Sequence, residues 1–273
     1  MKVKRWITVC ALAAAMAMNA GAEKKGNIVM DGSTTVGPIA KAFAEYYMGK
    51  YPGVNISVSE SGSGNGAKSI INGTADIGNM SCAMKDSELE AAKSKGVKVM
   101  EHIVAMDGIA IVVHPGNPVA ALTVEQLRKI YTGEIGNWSQ LGGPNKPVVV
   151  ISRDTNSGTY ETFETLVMHS ERMTDKTEYV GSNGAIRQRV MTTDGAIGYV
   201  GLAFTHGLKV VDIDGVTPTP ESVLDKSYPI GRPLYMYTNG EPAEGTVLAE
   251  FLGLYKTSDG KKIIEEQGFI PMP

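Results

Sequence analysis

The chain has 273 residues, of which 42% are hydrophobic, 20% charged and 7% aromatic. This balance excludes a disordered chain, and a count of two cysteines excludes a small fold held together by disulfides. The formal net charge of −3, without a basic stripe, excludes a nucleic-acid partner. The length fits about two domains, and 32 glycines indicate many turns and close backbone contacts.

Residues 1–22 have the pattern of a secretory signal peptide. An apolar run from Trp6 to about Met18 is followed by the small residues Ala20-Gly21-Ala22. This run is shorter than the roughly 20 residues of a membrane-spanning helix, so we expect cleavage before Glu23 rather than a membrane anchor. The run is preceded by the basic residues Lys2, Lys4 and Arg5. The mature protein is therefore expected to be periplasmic or secreted.

The two cysteines fall on either side of the predicted cleavage site. Cys10 lies inside the apolar run and follows Val9, which is not small, so lipid attachment there is not expected. Removal of the leader leaves Cys82 as a single thiol, which cannot form an internal disulfide. We expect that thiol to be buried and unreactive.

Strand-like and helix-like segments alternate along the rest of the chain, which predicts an α/β fold with parallel strands. The predicted strands are Asn27–Met30, Val54–Val58, Ala75–Gly78, Val97–Val104, Gly108–Val113, Val148–Ile151 and Ala196–Val200. The clearest helix patterns are Val36–Met48, with Ile39, Phe43 and Tyr47 on one face, Ala67–Ile71 and Ser87–Lys95.

Three turns rich in Gly, Ser and Thr follow predicted strands and open predicted helices, at 31–38, 60–66 and 153–159. Each turn points free backbone N–H groups and the positive end of a helix toward one point, and its hydroxyls add donors. One such turn alone is more often only a helix cap. Three of them, one carrying Arg153, predict a cradle for a small oxyanion.

Enzyme motifs are weak or missing. The pattern Gly62-x-Gly64-x-x-Ala67 matches a relaxed dinucleotide fingerprint, but no acidic residue ends a second strand about 20 positions later. The four histidines are scattered, with no pair at metal-ligand spacing. An exported phosphatase with Ser63 or Ser157 as nucleophile would lack an accompanying base or metal set. We therefore expect no enzyme activity, no cofactor and no metal.

Several segments, in this order, resemble the phosphate-binding protein of bacterial high-affinity phosphate ABC importers over nearly the whole mature chain. The matching stretches are Asp31–Thr35, Ser61–Gly64, Ala75–Gly78, Asp107–Ala110, Leu122–Thr123, Ile130–Gly133, Asn137–Trp138, Arg153 with Ser157–Thr159, and Gly195–Val200.

This resemblance implies a two-lobed periplasmic binding protein of type II, with a ligand cleft between α/β lobes joined by a hinge. Lobe 1 would comprise 23–112 and 231–273, and lobe 2 would comprise 113–230. The implied function is to bind inorganic phosphate and deliver it to the permease subunits of an ABC transporter. A monomer without a chemical reaction is expected.

The resemblance also implies a set of phosphate-binding residues, with Arg153 as the only formal positive charge among hydroxyl and amide donors. The set is Ser33, Thr34, Thr35, Ser61, Ser63, Ser81, Asp107, Arg153, Ser157, Gly158 and Thr159.

One position departs from the family pattern. Many members have an Asp where this chain has Ser81, and that carboxylate accepts the proton on phosphate and repels sulfate. Here either the Ser81 hydroxyl or the Asp107 carboxylate could be the acceptor, and Asp154 directly follows Arg153 where other members have an Asp two residues on. Sulfate or molybdate therefore stays open as the ligand, as does an adhesion role on the same scaffold.

Overall fold

The computed structural model describes residues 24–272, so the predicted signal peptide, including Cys10, lies outside the described residues. Within that range no helix is long and apolar enough to cross a membrane. Cys82 is a free, buried cysteine, and burial raises the pKa of its thiol, as expected for an unreactive core thiol.

The described residues form eleven strands and nine α-helices. The strands are β1 (Gly26–Gly32), β2 (Val54–Ser59), β3 (Ile77–Met80), β4 (Val99–Val113), β5 (Ala121–Leu122), β6 (Val149–Arg153), β7 (Glu178–Val180), β8 (Ala196–Gly201), β9 (Lys209–Ile213), β10 (Gly231–Asn239) and β11 (Ile270–Pro271). The helices are α1 (Gly37–Lys50), α2 (Ser63–Ile71), α3 (Asp86–Ser94), α4 (Val124–Thr132), α5 (Gly158–Phe163), α6 (Asn183–Thr192), α7 (Pro220–Leu224), α8 (Val247–Leu252) and α9 (Ser258–Glu266).

The strands form one sheet with the main order β2-β1-β3-β10-β4-β8-β6-β7. At one side β1 is parallel to β2 and β3, and at the other side β6 is parallel to β7 and β8. The centre differs from the predicted parallel sheet, because β10 is antiparallel to β3 and β4, and β4 is antiparallel to β8. The chain leaves the first side along β4 and returns to it along β10, which forces these two strands to run in opposite directions.

A single long strand, β4, replaces the two strands predicted at 97–104 and 108–113. The predicted gap at 105–107 is absent, because β4 pairs with β10 through this point, with Asp107 opposite Arg232. The pairing partner changes from β10 to β8 between Gly108 and Ile109. The lobe limits at 112/113 and 230/231 stay a prediction.

Two main hydrophobic cores lie on either side of this change of partner. The first includes Ile28, Met30, Phe43, Tyr47 and Phe251, and the second includes Ile111, Tyr131, Trp138, Phe163 and Tyr199. We call the elements that pack around the first core, including α1 and α8, the first half. We call the elements that pack around the second core, including α4 and α5, the second half.

The buried face of α1 confirms the predicted helical spacing, since Ile39, Phe43 and Tyr47 all belong to the first core. In the second core, the polar tips of two buried aromatic residues are satisfied by backbone carbonyls. The Trp138 indole donates to the Gly195 carbonyl at 2.8 Å, and the Tyr131 hydroxyl donates to the Ile151 carbonyl at 3.0 Å. The second core therefore has no unpaired polar group at these two positions.

Candidate anion-binding site

Four strand-to-helix corners carry the polar residues of the site, two in each half. They connect β1 to α1, β2 to α2, β6 to α5 and β7 to α6. The first three are the predicted Gly/Ser/Thr turns. Helix α2 begins at Ser63, four residues before the predicted start at Ala67, because the glycines of this segment suggested a turn rather than a helix.

Two of the corners have the same local construction, a Ser followed two residues later by a Thr. The Ser33 hydroxyl oxygen accepts the N–H of Thr35 at 3.1 Å, and the Ser157 hydroxyl oxygen accepts the N–H of Thr159 at 3.2 Å. Ser157 thus caps α5, whereas Ser33 stabilises the turn that precedes α1. The two corners meet across the halves, where the hydroxyl oxygens of Thr35 and Thr159 lie 3.2 Å apart.

The third corner brings Ser63 to the same place. Its hydroxyl oxygen accepts the N–H of Ser81 at 3.1 Å and lies 3.3 Å from the Ser81 hydroxyl oxygen. A Cβ atom at Gly158 would come within 2.6 Å of the Ser63 hydroxyl and 2.8 Å of the Ser81 hydroxyl. Residue 158 must therefore be glycine for the start of α5 to approach the first half this closely.

Arg153 ends β6 and is 1% exposed. Its Nη2 donates to the Gly181 carbonyl at 2.9 Å and to the Thr34 hydroxyl at 3.2 Å, and its Nε donates to the Val180 carbonyl at 3.3 Å. Its Nη1 is buried and has no hydrogen-bond partner among the described residues. Burial lowers the pKa of the guanidinium to about 10, so it stays charged at neutral pH.

The fourth corner was missed from the sequence. Asn183, at the start of α6, donates from Nδ2 to the hydroxyls of Thr35 at 2.9 Å and Thr34 at 3.4 Å. The signal was present, because Gly181-Ser182-Asn183-Gly184 lies between a strand and a helix as the other turns do, and Ser182 caps α6.

Arg232 was also missed, and it corrects the expectation that Arg153 is the only positive charge. From β10, its Nη1 donates to the Thr159 hydroxyl at 3.0 Å and to the Ser81 carbonyl at 3.1 Å. Its Nη2 donates to the Thr35 hydroxyl at 3.4 Å. Nothing local marks Arg232 in the sequence, because its role depends on the distant strand with which β10 pairs.

Asp107 lies in this cluster as an ion-pair partner of Arg232, and its expected role as the ligand's proton acceptor stays a prediction. It is fully buried, and Oδ2 accepts from Arg232 Nη2 at 2.9 Å and Nε at 3.2 Å. Its Oδ1 accepts the Leu202 N–H at 3.1 Å. Both oxygens accept from protein donors, and the carboxylate balances the charge of Arg232.

Ser61 is the predicted site residue that the structure leaves outside the cluster. It is exposed, and its hydroxyl donates to the Asp31 carboxylate at 2.6 Å. Asp154, adjacent to Arg153 in sequence, accepts the Asn156 N–H at 3.0 Å through its carboxylate. The cluster proper contains the other predicted residues, with Asn183 and Arg232 added.

The chemistry of this cluster suits a small anion. It combines several hydroxyl donors, the N-termini of helices and one buried guanidinium nitrogen without a partner. Its second arginine is neutralised by Asp107, so the surplus charge at the site is that of Arg153. No group of three or more His, Cys, Asp or Glu among residues 24–272 could hold a metal ion.

Comparison with known proteins agrees with this geometry. Residues 17–254 match the family model of the PBP superfamily domain. The chain is 34% identical over 257 residues to the phosphate-binding protein PstS of Bacillus subtilis, covering 92% of this chain and 83% of that protein. It is 32% identical over 262 residues to the protein SphX of Synechococcus elongatus, covering 90% and 77%.

Solved structures show the same likeness. A phosphate ABC transporter substrate-binding protein of Clostridium perfringens, solved with bound phosphate, superposes with a TM-score of 0.84 at 34% identity, covering 91% of this chain and all of that one. An ABC-type phosphate transport receptor of Vibrio cholerae gives a TM-score of 0.73 at 30% identity, with 90% of this chain covered. The chain therefore belongs to the PBP superfamily and, within it, to the family that includes these PstS proteins.

Proposed function

We propose that this chain is an exported receptor that binds inorganic phosphate and delivers it to the permease subunits of an ABC transporter. The observation that carries the proposal is the buried, unpartnered Nη1 of Arg153, in a guanidinium whose Nη2 donates to the Thr34 hydroxyl of the first half. A buried N–H without an acceptor costs about 1–3 kcal/mol, and an anionic oxygen removes that cost. The names of the relatives, and the phosphate in the Clostridium perfringens structure, support phosphate as the anion.

Binding at this position would couple the ligand to closure of the two halves. Thr35 comes from the first half and Arg153 and Thr159 from the second, so a ligand that contacts them all favours the form in which the halves meet. We expect micromolar or tighter binding, which corresponds to about −8 kcal/mol or better.

The serines of the cluster support a receptor rather than a phosphatase. The Ser157 hydroxyl accepts from backbone N–H groups as a helix cap, and the Ser63 hydroxyl is paired with Ser81. Neither pairing provides the general base that a serine nucleophile needs. Turnover of a chromogenic phosphate ester by the purified protein would contradict this part of the proposal.

The remaining parts of the proposal follow the family resemblance. The protein would be exported by residues 1–22 and would act in the periplasm or outside the cell as a monomer without a nucleic-acid partner. Its lobes would comprise 23–112 with 231–273 and 113–230. Sulfate or molybdate is the second candidate ligand, because the carboxylate found in the cluster, Asp107, is bound by Arg232.

Titration calorimetry of the exported, purified protein with inorganic phosphate tests the function directly. We expect one binding site per chain with a dissociation constant in the micromolar range or below. Phosphate that co-purifies must first be removed by dialysis under partly denaturing conditions and refolding. A refolded protein that binds no phosphate would refute the proposal.

A further inference from the structure

A cavity of about 340 Å³ lies beside the anion cluster, between elements of the two halves. Residues 82–85, which connect β3 to α3, form one wall, and residues between 161 and 166, in α5 and the turn that follows it, form the other. The floor is the start of β10, from Gly231 to Tyr235. Among the described residues that line the cavity, Arg232 is the one shared with the cluster. The volume is within the range of sites that hold small organic ligands.

Tyr235 brings to this cavity a polar group that the protein does not use. The residue is 8% exposed, and its ring stacks on that of Tyr237 with the centroids 5.6 Å apart. The Tyr237 hydroxyl donates to the Glu101 carboxylate and accepts the Met84 N–H, whereas the Tyr235 hydroxyl has no hydrogen-bond partner among residues 24–272. Burial raises the pKa of the Tyr235 phenol to about 12, so it keeps its proton at neutral pH. This hydroxyl can therefore donate to a ligand oxygen, and an unmade bond at a nearly buried donor is costly.

The charged groups that line the cavity are balanced by the protein itself. Lys85 Nζ lies 3.1 Å from the Glu161 carboxylate on the opposite wall, and Arg232 is paired with Asp107. A charged ligand would lose its hydration without gaining a counterion, so the cavity favours an uncharged one. Apolar surface for the body of such a ligand is provided by Met84, Leu166 and Pro233.

The cavity depends on contact between the two halves. The strand that leads into residues 82–85, β3, carries Ile77 of the first core, and α5 carries Phe163 of the second core. The ion pair between Lys85 and Glu161 joins the two walls. Movement of the halves away from each other would therefore separate the walls. A ligand held by both walls favours the form in which the halves meet, which is also the form that the anion favours.

We propose that this cavity is a second ligand site, which takes a small uncharged molecule with an apolar body and one hydrogen-bond acceptor, and that its occupation strengthens anion binding. The acceptor receives the hydrogen bond of the Tyr235 hydroxyl. The coupling rests on the proposed function, because it assumes that the anion binds where Thr35 and Thr159 meet. Such coupling is reciprocal, so the anion strengthens binding of the second ligand by the same factor.

Acetophenone is a suitable probe, because it is uncharged and joins an aromatic ring to one carbonyl acceptor. Benzoate has a similar shape with a negative charge, and ethylbenzene lacks the acceptor. For wild-type protein in saturating phosphate we expect a dissociation constant for acetophenone in the millimolar range, and binding of the other two that is weaker by about fivefold or more. Amide chemical shifts followed by NMR should change at 82–85, 161–166 and 231–235. Shifts that stay constant there would show that the cavity holds solvent only and would overturn the inference.

Tyr235→Phe tests the role of the phenol, because it removes the hydroxyl and keeps the ring. We expect this variant to bind acetophenone about fivefold more weakly, to bind ethylbenzene as the wild type does, and to keep its phosphate affinity. The matched control is Tyr179→Phe, since Tyr179 is 51% exposed and lies outside the cavity. Equal acetophenone affinities of the two variants would show that the phenol does not hold the ligand and would overturn the inference.

Phosphate calorimetry with and without acetophenone measures the coupling. At ten times its dissociation constant, a probe that binds only the closed form raises phosphate affinity by up to about tenfold. Unchanged phosphate affinity under conditions where acetophenone binds would overturn the coupling and leave the proposed function intact. Failure to bind phosphate in the absence of any probe would instead refute the proposed function.

Discussion

Arg153 and Arg232 are both buried in the same cluster, but they differ in whether a carboxylate of the protein balances their charge. Arg232 faces Asp107 on the neighbouring strand, so its charge is balanced within the protein. The hydrogen-bond partners of Arg153 are two backbone carbonyls and the hydroxyl of Thr34, which leave its charge in place. A buried charge without a counterion is costly, and an anionic ligand would supply the missing partner.

Replacing Arg153 therefore tests the site at the scale of one residue. We expect Arg153→Met to weaken phosphate binding by about 100-fold or more, since a charge-assisted contact in a buried site is worth about 3 kcal/mol or more. The matched control is Arg172→Met, because Arg172 has 85% of its side chain exposed and pairs with Asp175 on the surface. Calorimetry on both variants measures the difference. Equal affinities would show that the anion binds elsewhere.

Asp107 gives a prediction about stability. Asp107→Asn removes the charge that balances buried Arg232, which is expected to lower the free energy of unfolding by about 3–5 kcal/mol. Asp175→Asn, on an exposed pair, should cost under about 1 kcal/mol. Urea unfolding followed by circular dichroism compares the two. A loss at Asp107 no larger than that at Asp175 would contradict the structural role given to this ion pair.

At the scale of elements, the corner before α5 also docks directly on the start of α2. Asn156 donates from Nδ2 to the Ser61 carbonyl at 2.6 Å, and its own carbonyl accepts the Gly64 N–H at 3.1 Å. The accepted N–H is in the first turn of α2, where backbone donors lack partners within the helix. Asn156 thus connects the two halves beside the cluster.

Gly64→Ala tests this contact. A Cβ at residue 64 would lie 2.6 Å from Asn156 Oδ1, so Asn156 must move away and its bond to Ser61 is lost. Phosphate affinity is expected to fall by up to about tenfold, mainly through faster dissociation. The control is Gly49→Ala in α1, where a Cβ meets nothing within 4 Å. Stopped-flow dissociation rates that are equal for both variants would refute the docking role.

The elements predicted from sequence are those that local patterns determine. The three corners and the buried face of α1 depend on turn residues and helical spacing, and the structure contains them. The antiparallel centre of the sheet and the position of Arg232 in the site both depend on pairing between β4 and β10. These strands are more than a hundred residues apart in the sequence, so no local pattern predicts their pairing. Asn183 was missed for another reason: the turn residues around it are visible in the sequence, but the preceding strand β7 has only three residues and does not mark the corner by alternation.

At the scale of the whole molecule, stability should depend on ligand concentration. A ligand that binds only the folded state at 1,000 times its dissociation constant adds about 4.1 kcal/mol to the free energy of unfolding. For a chain of this size we expect phosphate to raise the melting temperature by roughly 8–16 °C. Sodium chloride at equal ionic strength is the control. An unchanged melting temperature in saturating phosphate would contradict a buried binding site.

β4 also constrains how the molecule can open. The strand pairs with β10 up to Gly108 and with β8 from Ile109 onward. The connection between the two cores is therefore made of hydrogen-bonded strands and not of a flexible loop. Paired strands keep their spacing, so we expect the two cores to separate by twisting about these strands and not by stretching them. A motion of this kind would return the same side chains to the same opposing positions on every cycle, as repeated loading and unloading of an ion requires.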